Sequence, residues 1–128
     1  MRLVAMLLLA GAALGGCATS GDAPMVEQGY QRGALGLAAI GRGDWAAAEV
    51  LLMERRGVGE NDPARLINLG KVYMETGRPG AALSAWRLAL AAESPFMVET
   101  ADGRIVSTQD LAREAIARYE QAQRTAAR

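Results

Sequence analysis

A chain of 128 residues is enough for one domain and too short for two with cores of their own. Its 14 basic and 14 acidic side chains cancel, so nothing electrostatic argues for nucleic acid or an acidic substrate. There is no His and only one Cys, which removes the commonest general base, any intrachain disulfide framework and the multi-Cys zinc sites. These absences argue against an enzyme and give no reason to expect a metal or a cofactor.

The chain opens with Met1-Arg2 and an apolar run of 12 residues, Leu3 to Leu14. A bilayer-spanning helix needs about 20 such residues, whereas a signal-peptide core has this length. Leu14-Gly15-Gly16-Cys17 follows, and it resembles the bacterial lipobox, in which a branched apolar residue and two small ones precede a Cys. The plainer alternative is an ordinary secretory signal whose small residues happen to lie before a Cys. The resemblance implies removal of residues 1–16, a lipid on Cys17, and a membrane anchor through it. Ala18 stands where Asp retains such proteins at the inner membrane of Gram-negative bacteria. The implied location is therefore the outer membrane, facing the periplasm. Residues 17–25, small, polar and broken by Pro24, read as a flexible tether.

The rest, 26–128, contains two related stretches. In the second, 63–96, the spacing is Leu66, Leu69-Gly70, Tyr73, Gly77, Ala82, Trp86 and Ala89. In the first, 29–62, Leu35-Gly36, Gly43, Ala48 and Leu52 each precede their counterpart by 34 residues. This pattern resembles the tetratricopeptide repeat, two antiparallel helices per 34-residue unit with small residues where they cross closely. Leu66 stands where the family usually has Trp. The first copy departs further, with Arg32, Ala39 and Arg55 in place of Leu66, Tyr73 and Ala89. Such weakening suits a terminal repeat.

Helices are expected over about 25–41, 44–56, 63–76 and 79–92. Asp44 is the expected N-cap of the second, with Trp45 after it, and Pro63 and Pro79 fit first-turn positions, where a missing N–H costs little. Gly57 to Asp62 reads as the turn between the pairs.

Residues 97–106 interrupt the pattern. Asp102-Gly103 between strand-tolerant residues signals a two-residue hairpin at 98–106, with Phe96, Met97, Ile105 and Val106 available to pack it. A connector is favoured over a recognition flap. Ser107 then begins a capping-box-like run with Asp110, followed by Leu111, Ala115, Ile116, Tyr119 and Ala122 at helical spacing. The expected element is a helix over 107–124 that caps the second repeat, with Trp86 held between that repeat and Ile116/Tyr119. The fold class is thus all-α, two helix pairs plus a capping helix.

The family resemblance also implies a site, since the first helix of each pair lines a concave surface. That surface would carry Tyr30, Leu37 and Ile40 from one repeat and Ile67, Asn68, Lys71 and Met74 from the other. Asn68 falls where family members often bind a peptide backbone, and Lys71 is placed to meet a carboxylate. The implied function is a non-enzymatic adaptor or scaffold with a protein or peptide partner in the periplasm. By analogy it would serve assembly of an envelope machine such as a Flp/Tad or type IV pilus, or a secretin. The alternative is a self-associating structural subunit with no separate ligand. An enzyme would need a carboxylate pair such as Glu49 and Glu54, whose spacing of five separates them around a helix.

Overall fold

A computed structural model describes residues 29–128, so the lipobox, Cys17 and the tether lie outside the described residues. Five helices and one small hairpin follow in order: α1 (Leu37–Gly41), α2 (Trp45–Glu54), α3 (Pro63–Glu75), α4 (Pro79–Leu90), β1 (Met97–Glu99), β2 (Ile105–Ser107) and α5 (Thr108–Ala126). The chain is mostly helical, with a two-stranded antiparallel sheet as its only β structure among the described residues.

The two helix pairs end their first helices with the same turn. Arg42 N–H donates to Ala38 O, Gly43 N–H to Ile40 O and Asp44 N–H to Ala39 O. Thirty-four residues later Thr76, Gly77 and Arg78 repeat these bonds to Val72, Met74 and Tyr73. Gly43 (φ 70°) and Gly77 (φ 74°) occupy the left-handed position that closes such a helix end. Beyond the turns, Ala48 and Ala82 are fully buried at corresponding places.

Each pair has a glycine where its helices approach, and in the second the approach admits no side chain. A Cβ on Gly36 would stand 3.5 Å from Leu52 Cγ and 3.3 Å from Ala48 O. On Gly70 it would stand 2.2 Å from Trp86 Nε1. The indole of Trp86, whose N–H donates to Ile67 O at 3.2 Å, thus lies on the bare backbone of α3. Both contacts lie within the second pair, on the α3 side of the indole.

α2 is N-capped by Asp44, whose carboxylate accepts from Ala47 N–H, and α3 by Asp62, which accepts from Arg65 N–H. Pro63 and Pro79 open α3 and α4. α5 starts on Ser107, whose Oγ accepts from Asp110 N–H, so the expected capping residue serves.

Two expectations fail. No single helix fills the region up to 41: residues 29–36 are turns and only Leu37–Gly41 is helical. Gly29, Gly33 and Gly36 all take positive φ, which a right-handed helix does not admit. The hairpin also differs. Thr100 N–H donates to Arg104 O and Gly103 N–H to Thr100 O, giving a three-residue loop with Gly103 left-handed, not a two-residue Asp-Gly turn. Met97 and Ile105 face outward, 60% and 63% exposed, while Val98 and Val106 pair on the half-buried side. The hairpin is held instead by Thr108, fully buried, whose N–H donates to Phe96 O at 2.9 Å.

The core lies in two places. Ala39, Ala48, Leu52, Leu69 and Val72 join α1, α2 and α3, with Ile40 and Tyr73 packed against them. Leu66, Ala89 and Ala112 join α3, α4 and α5, with Ile67 and Leu90 alongside. α5 therefore covers the second pair, while its residues from Glu120 onward are exposed.

Candidate functional site

Of the seven residues assigned to a concave binding face, Ile40 packs, half-buried, against the first core cluster and Ile67 against the second. Leu37 and Met74 are half-buried.

Asn68 has an internal partner. Its Nδ2 donates to Leu35 O at 3.0 Å, tying α3 to the turn before α1. The side chain that the family pattern offers to a peptide backbone therefore already holds this chain's own backbone.

Lys71 is exposed and paired with Glu75 across one helical turn at 2.6 Å. Its ammonium also lies 5.7 Å from the centre of the Trp45 ring. A new carboxylate would compete only with an exposed i, i+4 pair, which is worth a few tenths of a kcal/mol (about 0.3–0.5).

Tyr30 stands elsewhere. Its hydroxyl donates to Asp62 Oδ2 at 2.9 Å, while Asp62 Oδ1 caps α3. Burial, then the adjoining carboxylate, pushes its pKa well above the usual phenol range. The ring sits 6.5 Å from that of Phe96, and both line an open depression of about 420 Å³ with Val58, Asp62 and three glycines. A second depression, of about 520 Å³, lies between Asn61, Pro63 and the end of α4, with Leu88 in its wall.

Sequence reasoning missed Arg65. Only 5% exposed, its guanidinium donates through Nε to Leu52 O at 2.7 Å and through Nη1 to Glu60 O at 2.9 Å. Nη2 reaches Met53 Sδ at 3.9 Å. Leu52 and Met53 form the last turn of α2, whose carbonyls need donors and whose dipole favours a cation. Loss of solvent, then the charge of Arg55, lowers the Arg65 pKa. An Arg two residues after a Pro-initiated helix start was the available signal, but only the packed structure shows what it reaches.

Glu49 and Glu54 each sit with an arginine. Arg78 donates to both oxygens of Glu49, at 2.9 and 2.6 Å, and that bond holds the Glu49 carboxyl below the usual range. Glu54 pairs with Arg56 at 2.8 Å. The described residues contain no cluster of three or more His, Cys, Asp or Glu side chains, and no described helix is long and apolar enough to cross a membrane.

The described residues thus form a mostly helical body of two helix pairs, a small hairpin and a fifth helix, in which Asn68 and Arg65 tie α3 back to the first pair. Comparison with protein-family models, with curated proteins and with solved structures finds no match.

Proposed function

We propose that this chain is a lipid-anchored tetratricopeptide-repeat adaptor of the outer membrane, facing the periplasm, that binds a protein partner and catalyses nothing. The observation that carries the repeat reading is the recurrence of three turn hydrogen bonds at 34 residues, in register with glycine-on-large-residue crossings in both pairs. A crossing sustained by Gly36 and Gly70 is the physical content of the family's small-residue positions. Anchoring rests on the Leu14-Gly15-Gly16-Cys17 motif.

On this reading Lys71 and Met74 supply the contact surface of α3, because Asn68 is engaged internally. The assembly of a Flp/Tad or type IV pilus or a secretin remains the analogy that gives the adaptor a place to act.

Metabolic labelling with a palmitate analogue tests the anchor: the wild-type chain takes the label and Cys17→Ser does not. Equal labelling of both removes it. Pull-down from solubilised outer membrane tests the partner, with Lys71→Glu expected to retain less of the captured protein than the wild type. Equal capture by both chains counts against the α3 face.

A further inference from the structure

α2 reads WAAAEVLLME and is apolar on nearly every side. A helix of that kind ordinarily has partners all round. Here Ala48 and Leu52 are buried and Trp45, Ala47 and Leu51 half-buried, but Ala46, Val50 and Met53 form an outward stripe at i, i+4 and i+7. Val50 is 57% and Met53 55% exposed.

The molecule supplies its own control. Thirty-four residues later, the same places on α4 hold Gly80, Ser84 and Arg87, all exposed. The fold therefore does not demand apolar residues there. Only the first pair carries them.

We propose that this stripe is a self-association surface, docking α2 antiparallel on α2 of a second copy about a two-fold axis near Val50. Both size and charge are self-complementary in that orientation. The stripe runs from small Ala46 to large Met53, so reversal sets each Met53 against the other chain's Ala46. Acidic Asp44 begins the helix and Arg55-Arg56 follow it, so reversal also sets Asp44 against Arg55 at both ends. A parallel crossing would bring like ends together instead. Glu49, the acidic residue near the axis, is already neutralised by its two-oxygen bond to Arg78. Arg55 and Arg56 have only exposed partners, Glu60 and Glu54, which reorganise at little cost. One helix crossing buries less than the roughly 1,600 Å² of a standard stable interface, so the dimer is weak and concentration-dependent. The inference stands on α2 alone, and neither the adaptor reading nor the lipid on Cys17 is needed for it.

Disulfide trapping of the full chain tests it. Val50→Cys, oxidised at high protein concentration, yields a linked dimer well above the background set by wild type, which carries Cys17 alone. Ser84→Cys, at the matching position of α4, stays at that background. In a mixture, Ala46→Cys links to Met53→Cys and not to itself. Val50→Asp raises the concentration needed for dimerisation in sedimentation equilibrium by about tenfold or more, equivalent to about 1.4 kcal/mol or more, with an unchanged melting temperature. Equal trapping at Val50 and Ser84 overturns the proposal, as does a wild-type chain that sediments as a monomer up to about millimolar concentration. Self-linkage at Ala46 overturns the antiparallel docking.

Discussion

Trp86 lies so close to Gly70 that a methyl group at position 70 would stand 2.2 Å from the indole nitrogen. Alanine is the better helix former by about 1 kcal/mol, so propensity alone would make Gly70→Ala stabilising. Contact geometry decides the opposite. The indole must leave its seat and give up its bond to Ile67 O, and overpacking of this kind costs about 1–3 kcal/mol. Urea denaturation should show a net loss for Gly70→Ala and a loss of about 3–5 kcal/mol for Trp86→Ala. In the Trp86→Ala background Gly70→Ala should cost little or become favourable. Additive losses would mean that the two residues do not oppose each other.

Arg65 joins the pairs from inside. Arg65→Ala strips the donors from Leu52 O and Glu60 O and should destabilise the chain by about 3 kcal/mol. Arg65→Lys should recover less than half, since an ammonium cannot reproduce the forked set of donors. Chemical denaturation of the three chains under identical salt tests this ranking.

Asn68 bears on stability before it bears on binding. Asn68→Ala releases the turn at Leu35 and should cost about 0.5–1.5 kcal/mol. Amide exchange should quicken in residues 34–43 and stay unchanged in α4 and α5. Uniform acceleration across the chain would show that the first pair does not open separately.

Glu49 and Arg78 make an acid-sensitive tie. Arg78 lowers the folded-state pKa of Glu49, so the stabilisation is present above the unfolded value, about 4.3, and is lost as pH falls through the folded one. Wild type should therefore melt above Glu49→Gln at neutral pH, and the gap should close progressively below about pH 4. High salt should narrow it too, because the pair is solvent-facing. A gap that stays constant from pH 7 to pH 3 would assign the difference to something other than this ion pair.

Much of the fold was legible because it rests on local chemistry with a period. Asp44, Pro63, Pro79, Gly77 and Ser107 start or stop helices by rules that need only neighbouring residues, and each does so in the structure. The region before Gly41 departs from the helix expected over 25–41 because Gly29, Gly33 and Gly36 take positive φ, which the 34-residue spacing does not register. The hairpin was recognised but its loop length was not, since Asp-Gly fits both a two-residue turn and the last part of a three-residue one. The site was least legible. Asn68, Arg65 and Tyr30 bond to residues 33, 13 and 32 positions away, and no local pattern names such partners.

The matching turns set a rule for how such a chain can change length. Gly36 with Leu52 and Gly70 with Trp86 mark where backbones cross, one period apart. Removing or duplicating a whole period keeps a glycine at every crossing, so the helices still meet. An insertion inside α3 that breaks its register with α4 puts a Cβ against the Trp86 indole, where only Gly70 fits. Changes of length are therefore best borne in the exposed 57–61 link between α2 and α3, with Val58 its one buried residue.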